Sequence, residues 1–330
     1  MASPKFGVII LNLGTPEQPT PQAVRNYLAE FLWDKRVVDA PRWLWWLVLH
    51  GIILRFRPGK VAKLYASVWR EDGSPLLHFT RSIAAKLEAE LSQDFQQTIP
   101  VIPAMTYGNP SISQASQRLR SEKIRKIIVL PLYPQFSATT TAAGFDALAK
   151  QLKPCPDLPE ILFIRDYHRH PGYIAALKAS VQKHQTSPAD QLVMSFHGIP
   201  QRYHHQGDPY PLECRATAEE LANALGLEAD QWRLTFQSRF GREEWLQPYT
   251  DETMAALPKQ GVKNINVICP GFAVDCLETL EEIQVENKNL FMEAGGESFN
   301  YIPCLNHDDE HISFLNQLVK EKSQAFSGSD

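Results

Sequence analysis

The chain lacks the motifs by which nucleotide enzymes are usually read. No GxGxxG follows the first apolar segment and no GxxxxGK[ST] occurs anywhere, so dinucleotide and P-loop readings lose their main support. There is no CxxC pair. The five cysteines, at 155, 214, 269, 276 and 304, are odd in number, which argues for reduced thiols in the cytosol, buried or lining a pocket, rather than a disulfide or metal framework. Basic charge is not in excess: 33 Lys and Arg against 37 Asp and Glu give a net charge of -4, with no general electrostatic case for nucleic acid. The opening "MASPKFGVIILNLG" has neither a basic n-region nor a small-residue cleavage site, and Asn12 and Gly14 break its apolar run. It reads as a first strand, not a signal peptide, and a cytoplasmic location is expected.

What is present is a globular composition, 44% hydrophobic and 21% charged over 330 residues, enough for two domains and a large core. Short, continuous apolar runs recur between amphipathic stretches: "KFGVIILNL", "TIPVIPAMTY", "KIIVLPLY", "EILFIRDY", "QLVMSF", "WRLTFQ" and "INVICP". Strands of this kind belong to parallel sheets covered on both faces. Two doubly wound, Rossmann-like α/β domains follow. The polar, proline-bearing "KPCPDLPE" (153–160) marks the switch, giving domains of 1–160 and 161–330. The second is expected to end in a long C-terminal helix, "DDEHISFLNQLVKEKSQAF".

Ligands of open α/β sheets sit at the carboxyl ends of strands. His197 stands there, directly beyond "QLVMSF" and before Gly198 and Pro200, where an imidazole either faces a cleft or bonds to backbone. His204 and His205 lie in a polar loop and read as solvated. His168 and His170 precede a Pro-Gly turn and read as structural.

Beyond the last of these runs, Glu278, Glu282 and Glu286 are spaced one helical turn apart with no interleaved cation. Such pairs cost a helix about 0.2–0.5 kcal/mol each. The plain reading is a capping box, with Asp275 as N-cap and Glu278 three residues on, and a solvated face opposite Leu280, Ile283, Leu290 and Phe291. Capping does not account for Glu282 and Glu286. A third unusual stretch is "RWLWWLVLHGIILRFR" (42–57). The twelve residues between Arg42 and Arg55 would span about 18 Å as a helix, too short for a hydrocarbon layer of about 30 Å. A core helix and an interfacial or ligand-gripping helix both fit it.

Taken together, "LNLGTP", "PLYPQFSATTT", "SFHGIP", "TFQSRFGREEWLQPYT" and "CPGFAVDCLETLEEI" resemble ferrochelatases, chiefly proteobacterial ones, in order and spacing from about residue 6 to 320. The resemblance implies a type II chelatase-like fold with the active-site cleft between its domains, and insertion of Fe²⁺ into protoporphyrin IX to form protoheme. It places the catalytic work on His197, Glu278, Glu282 and Glu286. His197 and Glu278 would be the iron-site pair, and Leu13, Tyr133, Phe236 and Phe272 would line the porphyrin slot. Residues 42–57 would form the lip over that slot and touch the membrane peripherally.

The same resemblance implies a monomer and no cofactor beyond the substrate Fe²⁺. The cluster cysteine of animal members is replaced by Ala138, and their cysteine-rich tail is missing, so no iron–sulfur cluster is expected. Cys276 stands where animal members have a histidine, and Thr106 where many members have an arginine, which leaves the propionate partner open. Within the class, the competing readings are coproporphyrin III as substrate, or cobalt or nickel as the metal. Outside it stands a two-lobed carrier of finished heme, which would need neither metal-free porphyrin nor a proton acceptor.

Overall fold

The computed structural model describes residues 6–185, 189–241 and 243–328. Among the described residues, eight parallel strands form two four-stranded sheets. They are β1 (Phe6–Gly14), β2 (Val101–Tyr107), β3 (Lys126–Pro131), β4 (Glu160–Phe163), β5 (Gln191–His197), β6 (Trp232–Gln237), β7 (Asn264–Ile268) and β8 (Ser298–Tyr301). Their order is β2-β1-β3-β4 in one sheet and β6-β5-β7-β8 in the other, so each sheet is a doubly wound unit with its first strand inside.

The first unit comprises residues up to Tyr133, Ser137–Arg165 and the chain from His307 onward. β1 is buried along nearly its whole length, as a parallel strand covered on both faces must be. Its motif glycine is required: Gly14 has φ +123°, and a Cβ there would lie 1.9 Å from the Tyr107 carbonyl oxygen on β2. The helices around this sheet begin where the sequence provides caps. Thr20 and Ser74 each accept an N–H ahead of a proline, and Ser111 with Gln114 makes a full capping box.

The second unit comprises Pro134–Phe136 and Asp166–Asn306. Its core gathers Val193, Ile265 and Val267 from the sheet with Met254, Leu257, Ile283 and Phe291 from the helices. His170 caps the helix Pro171–His184 by accepting the Gly172 N–H, the structural part expected of it.

Two features differ from expectation. β8 has no counterpart among the apolar runs, because "SFNY" is a four-residue edge strand of mixed polarity. The C-terminal helix Asp309–Ser323, assigned from the sequence to the second domain, belongs to the first unit. It buries Ile312, Phe314, Leu315, Leu318 and Val319 against the helix Pro75–Phe95 and β3, and Lys86 and Asp94 pair with its Asp309 and Lys320. An amphipathic pattern specifies that a face is buried but not which sheet buries it. Leu315 is fully buried, so Leu315→Ala should lower the unfolding free energy by about 2–5 kcal/mol in a urea titration. A loss under about 1 kcal/mol would mean the helix is not part of that core.

Candidate active site

The carboxyl end of the second sheet brings the acid–base candidates together. β5 and β6 run in register so that His197 pairs with Gln237. The next residue, Gly198, donates its N–H to the Gln237 carbonyl at 2.7 Å. A Cβ on Gly198 would lie 2.8 Å from that same oxygen, so only glycine permits the approach. The His197 Nδ1 lies 2.6 Å from the Gly198 carbonyl oxygen. A carbonyl only accepts, so Nδ1 carries the proton and Nε2 presents the lone pair. The imidazole is half-buried, with its centroid 6.3 Å from the ring of Phe272.

The acidic stripe is not a capping box, and only its last member, Glu286, is solvent-exposed. Asp275 is buried, and its N–H goes to the Asn306 Oδ1 at 2.8 Å rather than to Glu278. Its carboxylate accepts from the Tyr301 hydroxyl at 2.5 Å, the Asn306 amide at 2.6 Å and the Thr279 hydroxyl at 3.0 Å. The stripe itself rides on a ten-residue π-helix, Glu278–Asn287, at whose end the Lys288 N–H reaches back five residues to the Ile283 carbonyl. Runs of this kind are rare and concentrate at functional sites.

Along this helix the three carboxylates are graded. Glu278 and Glu282 are half-buried and Glu286 is exposed. Leu290, expected on the apolar face, is 37% exposed, whereas Ile283 and Phe291 are fully buried as anticipated.

Among the described residues, no lysine or arginine pairs with Glu282. Its Oε1 accepts the Ser238 N–H at 2.7 Å, while its Oε2 takes the Ser238 hydroxyl and the Gln237 amide, the latter at 3.3 Å. Ser238 has φ +66°, an uncommon conformation for a non-glycine residue, and it is this turn that carries both of its donors to one carboxylate. Burial pushes the Glu282 pKa up, and the Glu278 charge adds to it. The Ser238 hydrogen bond, the Coulombic pull of His197 in its protonated form and the Gln237 amide act in the opposite direction without reversing it.

Gln237 and Ser238 were not flagged from the sequence. The signal available was the polar pair closing the apolar run "WRLTFQ". Around the glutamates, burial raises the thiol pKa of Cys269, Cys276 and Cys304. Cys276 is raised further by the charge of Glu278 and by its hydrogen bond to that carboxylate.

The remaining candidates are distributed as follows. Phe272 is half-buried against the second core, and Phe236 is only 5% exposed, its ring 6.5 Å from that of Phe196. Leu13 and Tyr133 belong to the first unit, Leu13 half-buried near the end of β1 and Tyr133 just past β3, its phenol pKa pushed up by burial.

His168, read as structural, lies with its Nδ1 2.9 Å from Asp166 and 3.4 Å from Glu213, and Glu213 also accepts the Phe136 N–H at 2.6 Å. In the stretch 42–57 the helix is broken by a π-turn at Leu49–Ile53 and continues to Val68. Trp43 is 72% and Trp46 50% exposed, but Trp45 is pinned, its indole N–H bonded to the Leu32 carbonyl at 2.7 Å.

Comparison with known proteins follows the same lines. The family model described as Ferrochelatase matches residues 5–323. Ferrochelatase 1 of Shewanella oneidensis is 54% identical over 330 residues, covering 99% of both chains. The ferrochelatase of Pectobacterium atrosepticum is 56% identical over 321 residues, covering 97% of this chain and 99% of its own. That of Vibrio cholerae is 55% identical over 318 residues, covering 96% and 98%. Among solved structures, SirB from Bacillus subtilis with Fe³⁺ superposes with a TM-score of 0.59 at 12% identity, over 98% of each chain. CbiX, titled the terminal enzyme for siroheme biosynthesis in denitrifying bacteria, gives 0.51 at 15% identity, over 96% and 98%. At such identities these two establish the fold alone.

A raised Glu282 pKa means that folding binds a proton there more tightly, so ionising Glu282 costs stability as pH rises above about 4.3, the free carboxylate value. Glu282→Gln removes that penalty. The melting temperature of the variant minus that of the wild type should therefore grow more positive as pH rises from about 4, and level off once Glu282 is ionised in the folded protein. A difference that does not move with pH refutes the assignment.

Proposed function

The chain belongs to the ferrochelatase family, and from that premise we propose how its residues divide the work of inserting ferrous iron into protoporphyrin. The reaction, the formation of heme, exchanges two pyrrole protons for one Fe²⁺. It needs a base close to the ring and a way out for the protons. Iron is a substrate here, and in this reading no resident cofactor takes part.

His197 accepts a pyrrole proton at Nε2, the nitrogen left free by the bond from Nδ1 to Gly198. Glu278 faces the reacting centre with it, as the other member of the iron-site pair. Protons pass to Glu282 and leave through the exposed Glu286. The observation that carries this reading is Glu282 itself: a carboxylate held, among the described residues, by an amide and a serine, with its pKa raised by burial, gains and loses a proton readily, where a lysine-paired one would stay ionised.

Leu13, Tyr133, Phe236 and Phe272 are assigned to the porphyrin slot, with Phe236 supporting it from behind, given its burial. The monomer is taken as the working unit. No helix among the described residues is long and apolar enough to cross a membrane. We assign residues 42–57 to peripheral membrane contact at the cytoplasmic face. Trp43, Trp46, Leu47, Ile52 and Phe56 are exposed there beside Arg55 and Arg57, an apolar and cationic combination suited to an anionic interface.

Anaerobic incubation with Fe²⁺ and protoporphyrin IX, followed by loss of porphyrin fluorescence, tests the activity directly. His197→Ala should abolish turnover while thermal stability and porphyrin binding stay near wild type. A folded variant keeping more than about a tenth of the rate removes His197 from its role, since an essential base contributes 10²–10⁴-fold. Trp43→Glu and Trp46→Glu should reduce co-sedimentation with anionic phospholipid vesicles and leave the melting temperature unchanged. Unfolding, or undiminished binding, overturns the membrane assignment.

A further inference from the structure

We infer that Gln237 is a positioning residue, which fixes the π-helix carboxylates against the strand that bears His197. The inference rests on the reading of Glu282 as a proton carrier and adds the part that sets its place.

Gln237 is 3% exposed, so both ends of its amide must find partners. Behind it, Oε1 accepts the Ser195 hydroxyl at 2.9 Å, and the Cys269 thiol points at the same oxygen from 3.8 Å. In front, Nε2 donates to the Glu278 backbone carbonyl at 2.9 Å and to the Glu282 carboxylate at 3.3 Å. Donors on one side and acceptors on the other allow one amide orientation only. A flip would set the amide oxygen against the Glu278 carbonyl and the Glu282 carboxylate, two acceptors, and it is that side which fixes the orientation. Ser195 is itself fully buried and braced by Thr250 at 3.0 Å, which lies 2.9 Å from Thr235.

The backbone of the same residue is tied to the His197 strand, since its carbonyl takes the Gly198 N–H and its register partner is His197. One residue therefore bonds to the base's strand through its main chain and to the first two glutamates' helix through its side chain. The Glu278 carbonyl that it takes up stands at the first turn of the π-helix. Its substitution should displace Glu282 relative to His197 without changing what either group is.

The test is a double-mutant cycle on kcat under anaerobic Fe²⁺ and protoporphyrin IX, with porphyrin Kd and melting temperature measured on every variant. Gln237→Met keeps volume and removes both ends of the amide. It should lower kcat about tenfold, leave porphyrin Kd and the Fe²⁺ KM within about twofold, and cost less than about twofold once Glu282→Gln is already present. A merely structural contribution would multiply with Glu282→Gln instead. Multiplicative effects, or wild-type kcat in folded Gln237→Met, overturn the inference.

If Gln237→Met does not fold, Ser195→Ala takes its place, because it keeps the amide and removes the hydroxyl that orients it. A fall in kcat that disappears in the Glu282→Gln background supports the inference, and no fall or a multiplicative one overturns it. Wild-type turnover in Glu282→Gln alone removes the proton-carrier reading and this inference together. Loss there with none in Gln237→Met removes only the positioning.

Discussion

A half-buried carboxylate held, among the described residues, by dipoles rather than by a cation is the constraint around which the second unit's candidate site is arranged. A lysine or arginine beside Glu282 would have relieved the acidic stripe at once, and would have fixed it as an anion. The chain instead presents the Ser238 N–H, the Ser238 hydroxyl and the Gln237 amide, all neutral. Placing them there requires a left-handed Ser238, a glycine at 198 and a strand register that aligns His197 with Gln237. Of these, the left-handed Ser238 is the local backbone cost, met by the packing of β5, β6 and the π-helix around it.

Much of this fold was legible in the sequence, and for a physical reason. Parallel strands covered on both faces need continuous apolar runs, and seven of eight strands announced themselves that way. β8 did not, because an edge strand needs apolar residues on one side only and four residues show no period. The C-terminal helix showed its buried face plainly, through Ile312, Leu315 and Val319, but periodicity carries no information about the partner surface.

The candidate site was legible in its titratable residues and not in the side chains that hold them. His197 stands at a strand end beside a glycine, and an unrelieved file of glutamates is anomalous on any helix. Gln237 and Ser238 carry no comparable mark, since polar residues closing a strand are what any loop entry contains. The π-helix was equally invisible, because Glu278, Glu282 and Glu286 have the spacing an α-helix would give them. Burial was misjudged for the same reason: helical projection put Glu282 in solvent, while the neighbouring strand end closes over it. The tryptophans divide similarly. Nothing in "RWLWW" distinguishes Trp45, pinned to the Leu32 carbonyl, from Trp43 and Trp46, which are exposed.

The buried thiols near the glutamates bear on which metals such a centre favours. A thiol binds a metal ion strongly only after losing its proton. Cys269, Cys276 and Cys304 are held in the protonated form by burial and by the acids around them. In the proposed iron site the softest potential ligands nearby are thus held as thiols, and the donors assigned to the metal are nitrogen and oxygen. Such donors hold ferrous iron moderately and give thiophilic ions no special grip. A centre that has to release its metal into a ring in every cycle gains from that weakness, because a thiolate trap at its edge would retain the cargo.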